Sequence, residues 1–366
     1  MALIKDVYSV SFYQRFLDVA ATIIPSLNKK VFIKKVFDED FKQKEWKDRM
    51  RHTTKVLHEF MPDDFSKAAK LIDDLIARLK NKKFDEYGIA FMFVPDYIGT
   101  YGLEDYKSSV KALETVTQFI SCEFAVRPFI LKYKSRMIDQ MIKWSLHKSS
   151  HVRRFASEGS RPRLPWAVAI PDLKRDPKPV LPILENLKND PSEWVRRSVA
   201  NNLNDIAKDH PGIVLDIAAR WKGISKETDA VIKHGSRTLL KAGHSEILNH
   251  YGLESKNMRV TNFNINTPVI KQGDDLRFSF SIQNKYSNEQ LVRLEYAVYY
   301  NKANGQLSKK VFKISERWYK ANEKAEVQKK QSFRPITTKK FYPGLHKLSI
   351  IVNGDEKTIQ SFTLIH

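Results

Sequence analysis

A single cysteine, Cys122, stands in 366 residues. No disulfide can close within the chain and no cysteine-based metal site can be built, so a reducing compartment is expected. Ten histidines are scattered without a His-x-x-x-His pair beside a glutamate, and no metal or other cofactor is expected. The 13 glycines form no Gly-x-Gly-x-x-Gly, Walker A or Gly-x-Ser-x-Gly pattern, which sets aside dinucleotide, P-loop and α/β-hydrolase chemistry. Long apolar runs are absent. The opening MALIKDVYSVSFYQRFLDVAATIIPSL is broken by polar residues and by Asp6, unlike a signal peptide or a membrane span. A cytoplasmic protein with no membrane partner is expected. No feature signals oligomerisation, so a monomer is expected.

Acidic residues are also in deficit, 42 against 63 lysines and arginines, for a net charge of +21. Such a surface draws polyanions, nucleic acid first among them. The length predicts two domains. Residues 1–256 read as helices. FYQRFLDVAATIIPSL places Phe12, Phe16, Leu17, Val19 and Ile23 near one face, and FSKAAKLIDDLIARLKNK does so with Ala68, Leu71, Ile72, Leu75 and Leu79. SSVKALETVTQFISCEFAV and FILKYKSRMIDQMIKWSLHK follow as two helices joined at Arg127-Pro128, with Pro128 as a helix start. PDDF at 62–65 and DPSEW at 190–194 read as further helix starts. From about Met258 the period changes to two, and Asn304-Gly305 and Asn353-Gly354 are hairpin dipeptides. Residues 257–366 therefore read as an immunoglobulin-like β-sandwich. They carry 19 lysines and arginines against 9 acids, which predicts that the sandwich assists in binding the same polyanion.

The helical region repeats itself. HVRRFASEGSR (151–161) aligns with WVRRSVANNLN (194–204), and both align with AVIKHGSRTLL (230–240). Spacing near forty residues with helix pairs marks a HEAT-type solenoid, mainly α, whose stacked repeats line a basic concave surface. Lys148, Arg153, Arg154, Arg161, Arg163, Arg197, His234, Arg237 and Lys241 are the candidate DNA-binding residues on that surface. Four of these arginines fall within 151–166, around one carboxylate, Glu158.

Carboxylates near DNA have a chemical use. Breaking an N-glycosidic bond builds positive charge on the sugar, which a carboxylate stabilises, and a carboxylate can also position water. Glu158, Glu123 and Asp205 are the candidates, with Trp166 placed to stack on the sugar or on a cationic base. The residues alone leave other readings open. Arg153, Arg154, Arg197 and Arg196 suit pairing with acids of a neighbouring repeat. Glu158 suits i,i+3 and i,i+4 pairs with Arg161 and Arg154, and Trp166 suits anchoring of a loop in the core. A HEAT scaffold that binds nucleic acid without catalysis shares the charge and the solenoid. A glycosylase with lyase activity needs a nucleophilic amine, and no lysine stands out.

Five stretches shift the balance. ASEGSRPRLPWA (156–167), RMRHTTKVLHEFMP (49–62), SCEFAVRPFI (121–130), WVRRSVANNLNDIAKDHP (194–211) and HGSRTLLKAGH (234–244) resemble the AlkC branch of the HEAT-like-repeat DNA glycosylases, relatives of AlkD. The likeness covers most of residues 1–250, and the sandwich resembles the extra domain of part of that branch. It implies a monofunctional glycosylase acting on double-stranded DNA that contains cationic alkylated bases such as 3-methyladenine and 3-methylcytosine. It implies catalytic roles for Glu158 and Trp166 and site roles for Glu123 and Asp205. It also implies a bent duplex attacked at the exposed sugar. The Asp with two tryptophans of AlkD-type members is not present as a set.

Overall fold

The structure, a computed structural model, describes residues 3–82, 84–335 and 340–365. Sixteen α-helices are described: α1 (Val10–Ala20), α2 (Lys29–Val36), α3 (Trp46–His58), α4 (Phe65–Lys80), α5 (Phe93–Tyr101), α6 (Tyr106–Val116), α7 (Val126–Tyr133), α8 (Ser135–Ser145), α9 (Ser150–Gly159), α10 (Pro171–Arg175), α11 (Leu181–Leu187), α12 (Glu193–Ile206), α13 (Pro211–Trp221), α14 (Lys226–Gly235), α15 (Arg237–Ala242) and α16 (Ser245–His250). Residues 1–214 and 220–235 form one compact unit, and 215–219 with 236–366 form a second.

In the first unit, short polar side chains start the helices where the sequence puts them. Ser9 accepts from the Phe12 amide at 3.2 Å, Asp64 from Ser66 at 2.8 Å and Asp105 from Ser108 at 3.0 Å; each satisfies a donor the helix leaves unpaired. α1 buries Phe12, Phe16, Leu17 and Val19 as its spacing predicts, while Ile23 lies past its end. α4 buries Ala68, Ile72, Leu75 and Leu79. α12 begins at Glu193, beside the DPSEW signal.

Two helices differ from expectation. The one expected over 108–126 stops at Val116, and α7 already begins at Val126. Pro128 is its third residue, where no intrahelical amide donor is needed. The following helix breaks at Lys134, which takes φ 45 and ψ −120 before α8 starts. No glycine or proline announces that break.

α8, α9, α12 and α14 then stack in succession. Gly159, at the end of α9, allows a close approach: a Cβ there would lie 2.7 Å from Val126 Cγ1 of α7.

The second unit holds α15, α16 and eight strands: β1 (Met258–Ile265), β2 (Val269–Lys271), β3 (Asp275–Asn284), β4 (Gln290–Asn301), β5 (Leu307–Tyr319), β6 (Lys324–Ser332), β7 (Gly344–Val352) and β8 (Asp355–Ile365). One sheet has the order β1-β3-β6 and the other β2-β8-β7-β4-β5, with only β2-β8 parallel. Leu276, Phe278, Phe280 and Ile282 of β3 meet Val292, Leu294, Tyr296 and Val298 of β4 and Leu348, Ile350 and Val352 of β7 in the core. Asn353-Gly354 turns β7 into β8 with φ 47 and φ 78, the geometry of a type I′ hairpin. The helix-to-strand change lies between His250 and Met258, but the second compact unit takes in 215–219 and the chain from Ser236 onwards. The reason is packing. Gly243 of the α15–α16 link lies so near the β7–β8 turn that a Cβ would come 2.6 Å from the Gly354 carbonyl.

Candidate active site

The signature segment 156–167 ends α9 and crosses towards α12. Along it, charges of opposite sign alternate. Arg154 Nη1 donates to Glu123 Oε2 at 3.1 Å, and its Nη2 stands 3.9 Å from Glu158 Oε1. Arg161 Nη1 donates to the same Glu158 oxygen at 2.6 Å, and its Nε donates to Asp205 Oδ2 at 2.9 Å. Lys208 Nζ donates to Asp205 Oδ1 at 3.1 Å. The second oxygen of Glu158 accepts from Ser198 Oγ at 2.6 Å. The three candidate carboxylates thus share one network, each separated from the next by a guanidinium. Burial of these charges is tolerated because each is paired and hydrogen-bonded.

Side-chain exposure falls from 17% at Glu123 to 7% at Glu158 and 2% at Asp205, so Glu123 is the most accessible of the three. Burial pushes the Glu123 carboxyl above the ordinary glutamate range; Arg154 pulls it down and the charge of Glu158 pushes it up. Burial opposes the charge on Arg161, but Glu158 and Asp205 more than offset it and hold the guanidinium above its ordinary value.

Trp166 is not a core anchor: its side chain is 62% exposed. Its backbone has φ 65, a left-handed conformation that is costly for a bulky residue and persists only where surroundings impose it. The ring of Trp46, in the first turn of α3, lies 6.2 Å from that of Trp166, and Lys47 Nζ donates to the Trp166 carbonyl.

The expected DNA-binding arginines divide. Arg153 forms a fork with Asp190, Nε at 2.6 Å and Nη2 at 3.0 Å, while its Nη1 donates to the carbonyls of His147 and Lys148. Arg161 is buried between two acids, and Arg163 forms a fork with Asp209 at 2.9 and 2.6 Å. Arg153 thus spends all three of its guanidinium nitrogens inside the protein, and Arg161 spends Nε and Nη1 there, contacts that compete with the phosphate-binding roles expected of both. Arg163 is likewise engaged with an acid, in a half-exposed pair. Arg154 is held by Glu123, by Ser121 Oγ at 3.0 Å and by the Trp194 ring, 4.5 Å from its guanidinium carbon.

Lys148 is exposed, as is Arg197, whose partner Glu193 is an exposed i,i+4 residue, a pair of little energetic weight. Arg197 and His234 line a shallow cleft of about 330 Å³ with Arg196 and Lys226 and with the acids Glu193 and Glu227. Arg237 and Lys241 belong to the second unit.

Sequence reasoning did not single out Ser198, Asp190, Trp194 or Arg127. Ser198 had a signal, since the aligned repeat carries Phe155 at that buried position. Arg127 lies within the quoted CEFAVRPF but reads as one more basic residue. In the structure it is fully buried. Burial, together with Arg161, pulls it down to about 10.

Among the described residues, no three His, Cys, Asp or Glu side chains are arranged to hold a metal ion, and no helix is long and apolar enough to cross a membrane.

Fold and site define a helical-repeat protein with an arginine–carboxylate centre and an appended immunoglobulin-like sandwich. Residues 259–366 match the family described as uncharacterised protein YhaZ, C-terminal Ig-like domain, and residues 180–210 match the HEAT repeat. Uncharacterized protein YhaZ of Bacillus subtilis (strain 168) is 42% identical over 363 residues, 99% of each chain. The Pseudomonas fluorescens alkylpurine DNA glycosylase AlkC, solved bound to DNA containing an abasic site analog, is 32% identical with TM-score 0.93 over 100% of both chains. The chain belongs to the AlkC/YhaZ family of HEAT-like-repeat DNA glycosylases.

Proposed function

We propose that this protein is a monofunctional DNA glycosylase that removes cationic alkylated bases, 3-methyladenine and 3-methylcytosine among them, from double-stranded DNA. The observation that carries the reading is the convergence of Glu123, Glu158 and Asp205 on one network in a chain similar throughout to an alkylpurine DNA glycosylase. Arg154, Arg161 and Lys208 pair with these three carboxylates, so the centre gathers acids that a protein of net charge +21 otherwise has in deficit.

As the C1′–N bond breaks, its electron pair goes to the base and neutralises a cationic leaving group. The deoxyribose is left oxocarbenium-like. Glu158 and Asp205 supply a fixed negative field to that cation, and the more accessible Glu123 orients the attacking water. Trp166 offers an exposed indole to the lesion or its sugar. Lys148, Arg197 and His234, with Arg154 at the edge of the centre, hold the duplex by its phosphates. The basic sandwich assists.

The test is release of free bases from duplex DNA treated with a methylating agent, resolved by chromatography without added metal. Release of 3-methyladenine or 3-methylcytosine supports the reading. Salt-sensitive DNA binding with no release would leave a non-catalytic HEAT-repeat binder.

A further inference from the structure

The segment 160–170 contains no helix or strand up to Ile170, yet it presents Trp166 in a left-handed conformation. Something must impose that geometry. Arg127 Nη1 donates to the carbonyls of Gly159 at 3.1 Å and Arg161 at 2.8 Å, and its Nε donates to the carbonyl of Val168. One rigid guanidinium therefore ties the start of the segment to its end. The planar fork makes this possible; an ammonium has no such fixed spread of donors. From the other side, Lys47 donates to the carbonyl of Trp166 itself. Neither residue contacts a carboxylate of the centre through these bonds. Burying a charge at Arg127 is costly without compensation; Asp205 favours the charge from a distance, but among the described residues no acid lies within ion-pair distance of it. The carbonyls of this segment are what it holds.

We propose that Arg127 and Lys47 are positioning residues that clamp the 159–168 segment, Arg127 from inside and Lys47 from the surface, and thereby hold the Trp166 indole where the lesion is received. This rests on the reading of Trp166 given above. As proposed, the clamp acts through Trp166, and that sets the experiment: a double-mutant cycle in the full-length protein with Arg127→Lys, Trp166→Ala and the double variant. Single-turnover base release from methylated duplex, duplex affinity and thermal midpoint are measured for each. Each single change is expected to slow release on the order of tenfold or more, and the double variant to be no slower than the worse single variant, because coupled residues are non-additive. Duplex affinity is expected to stay within about twofold, since neither side chain is assigned a phosphate. Multiplying losses in the double variant would overturn the clamp while leaving Trp166 its role. Full activity in Trp166→Ala would overturn the reading of Trp166 and the clamp with it. If Arg127→Lys does not fold, Lys47→Met takes its place in the same cycle with the same expected non-additivity, and additivity there overturns the proposal equally.

Discussion

Arg161 Nη1 lies 2.6 Å from Glu158 Oε1, three residues earlier in the chain, and both side chains are buried. The same guanidinium reaches Asp205 on α12, so one arginine fastens two carboxylates from successive repeats. The lone acid of the arginine-rich segment is therefore one member of an internal charge lattice, and its neighbours Arg154 and Arg161 serve the carboxylates before any phosphate.

Glu158→Gln keeps the shape of the side chain and removes its charge. Base release is expected to fall by roughly 100-fold or more, the scale seen when one electrostatic contributor to a transition state is removed. Duplex affinity is expected to hold or tighten, because a negative charge beside DNA is lost. Thermal stability should fall as well, by up to about 3–5 kcal/mol, the cost of breaking a buried ion pair. Single-turnover kinetics and binding at one salt concentration separate these effects. Equal losses of rate and affinity would assign Glu158 to structure only.

Arg153 and Lys148 are neighbours in sequence with opposite expected behaviour. Arg153→Ala leaves Asp190 buried without its fork, and destabilisation of about 3–5 kcal/mol is expected. The slope of log affinity against log salt should not change. Lys148→Ala and Arg197→Ala should leave the melting temperature nearly unmoved and each lower that slope by about 0.9, one phosphate contact apiece. A salt titration of all three variants checks the division, and a shallower slope in Arg153→Ala would return it to the DNA-binding set.

Glu123 ties stability to pH. Its carboxyl is raised by burial, and by Glu158, against the pull of Arg154. A raised acid favours the protonated fold. The stabilising contribution is present below the ordinary glutamate value and is lost as pH rises through the raised one. Glu123→Gln, permanently neutral, should therefore gain stability relative to the parent as pH rises across that interval. The activity of the parent should climb over the same interval as the carboxylate forms, and the variant should lack that limb. Melting curves and rate profiles from pH 4 to 8 test both; a pH-independent stability difference would contradict the argument.

The sandwich carries a concavity of about 590 Å³ lined by Asn266, Arg277, Gln328, Lys329 and Lys330. If this face assists DNA binding, Arg277→Ala with Lys329→Ala should weaken binding uniformly across sequences and lower the salt slope by about 1.8. Both side chains are exposed, so folding should be untouched. Unchanged affinity and slope would remove this face from the interface.

Periodicity made the solenoid and the sandwich legible in the sequence, because burial of one helix face or one strand face repeats with the backbone. β3, β4 and β7 were visible for that reason. β6 was not: KAEVQKKQS turns only Ala325, Val327 and Gln331 inward at an edge of the three-stranded sheet. β8 pairs on both sides yet exposes much of its length. Likeness in the run 156–167 pointed to Glu158 and Trp166, and likeness in SCEFAVRPFI and WVRRSVANNLNDIAKDHP to Glu123 and Asp205. What residue types cannot express is which donor a charged group will use. Arg153, Arg154, Arg161 and Arg163 are equivalent as letters. Their separate fates, in a fork to Asp190, a bridge from Glu123 to Glu158, a buried tie to Asp205 and a half-exposed pair with Asp209, depend on residues up to 46 positions away. Local pattern and composition determined that this chain is a basic helical-repeat protein with a sandwich. Only the packing of one repeat on the next decided which charges face each other, because electrostatic pairing is a matter of ångströms between atoms that the chain brings together from afar.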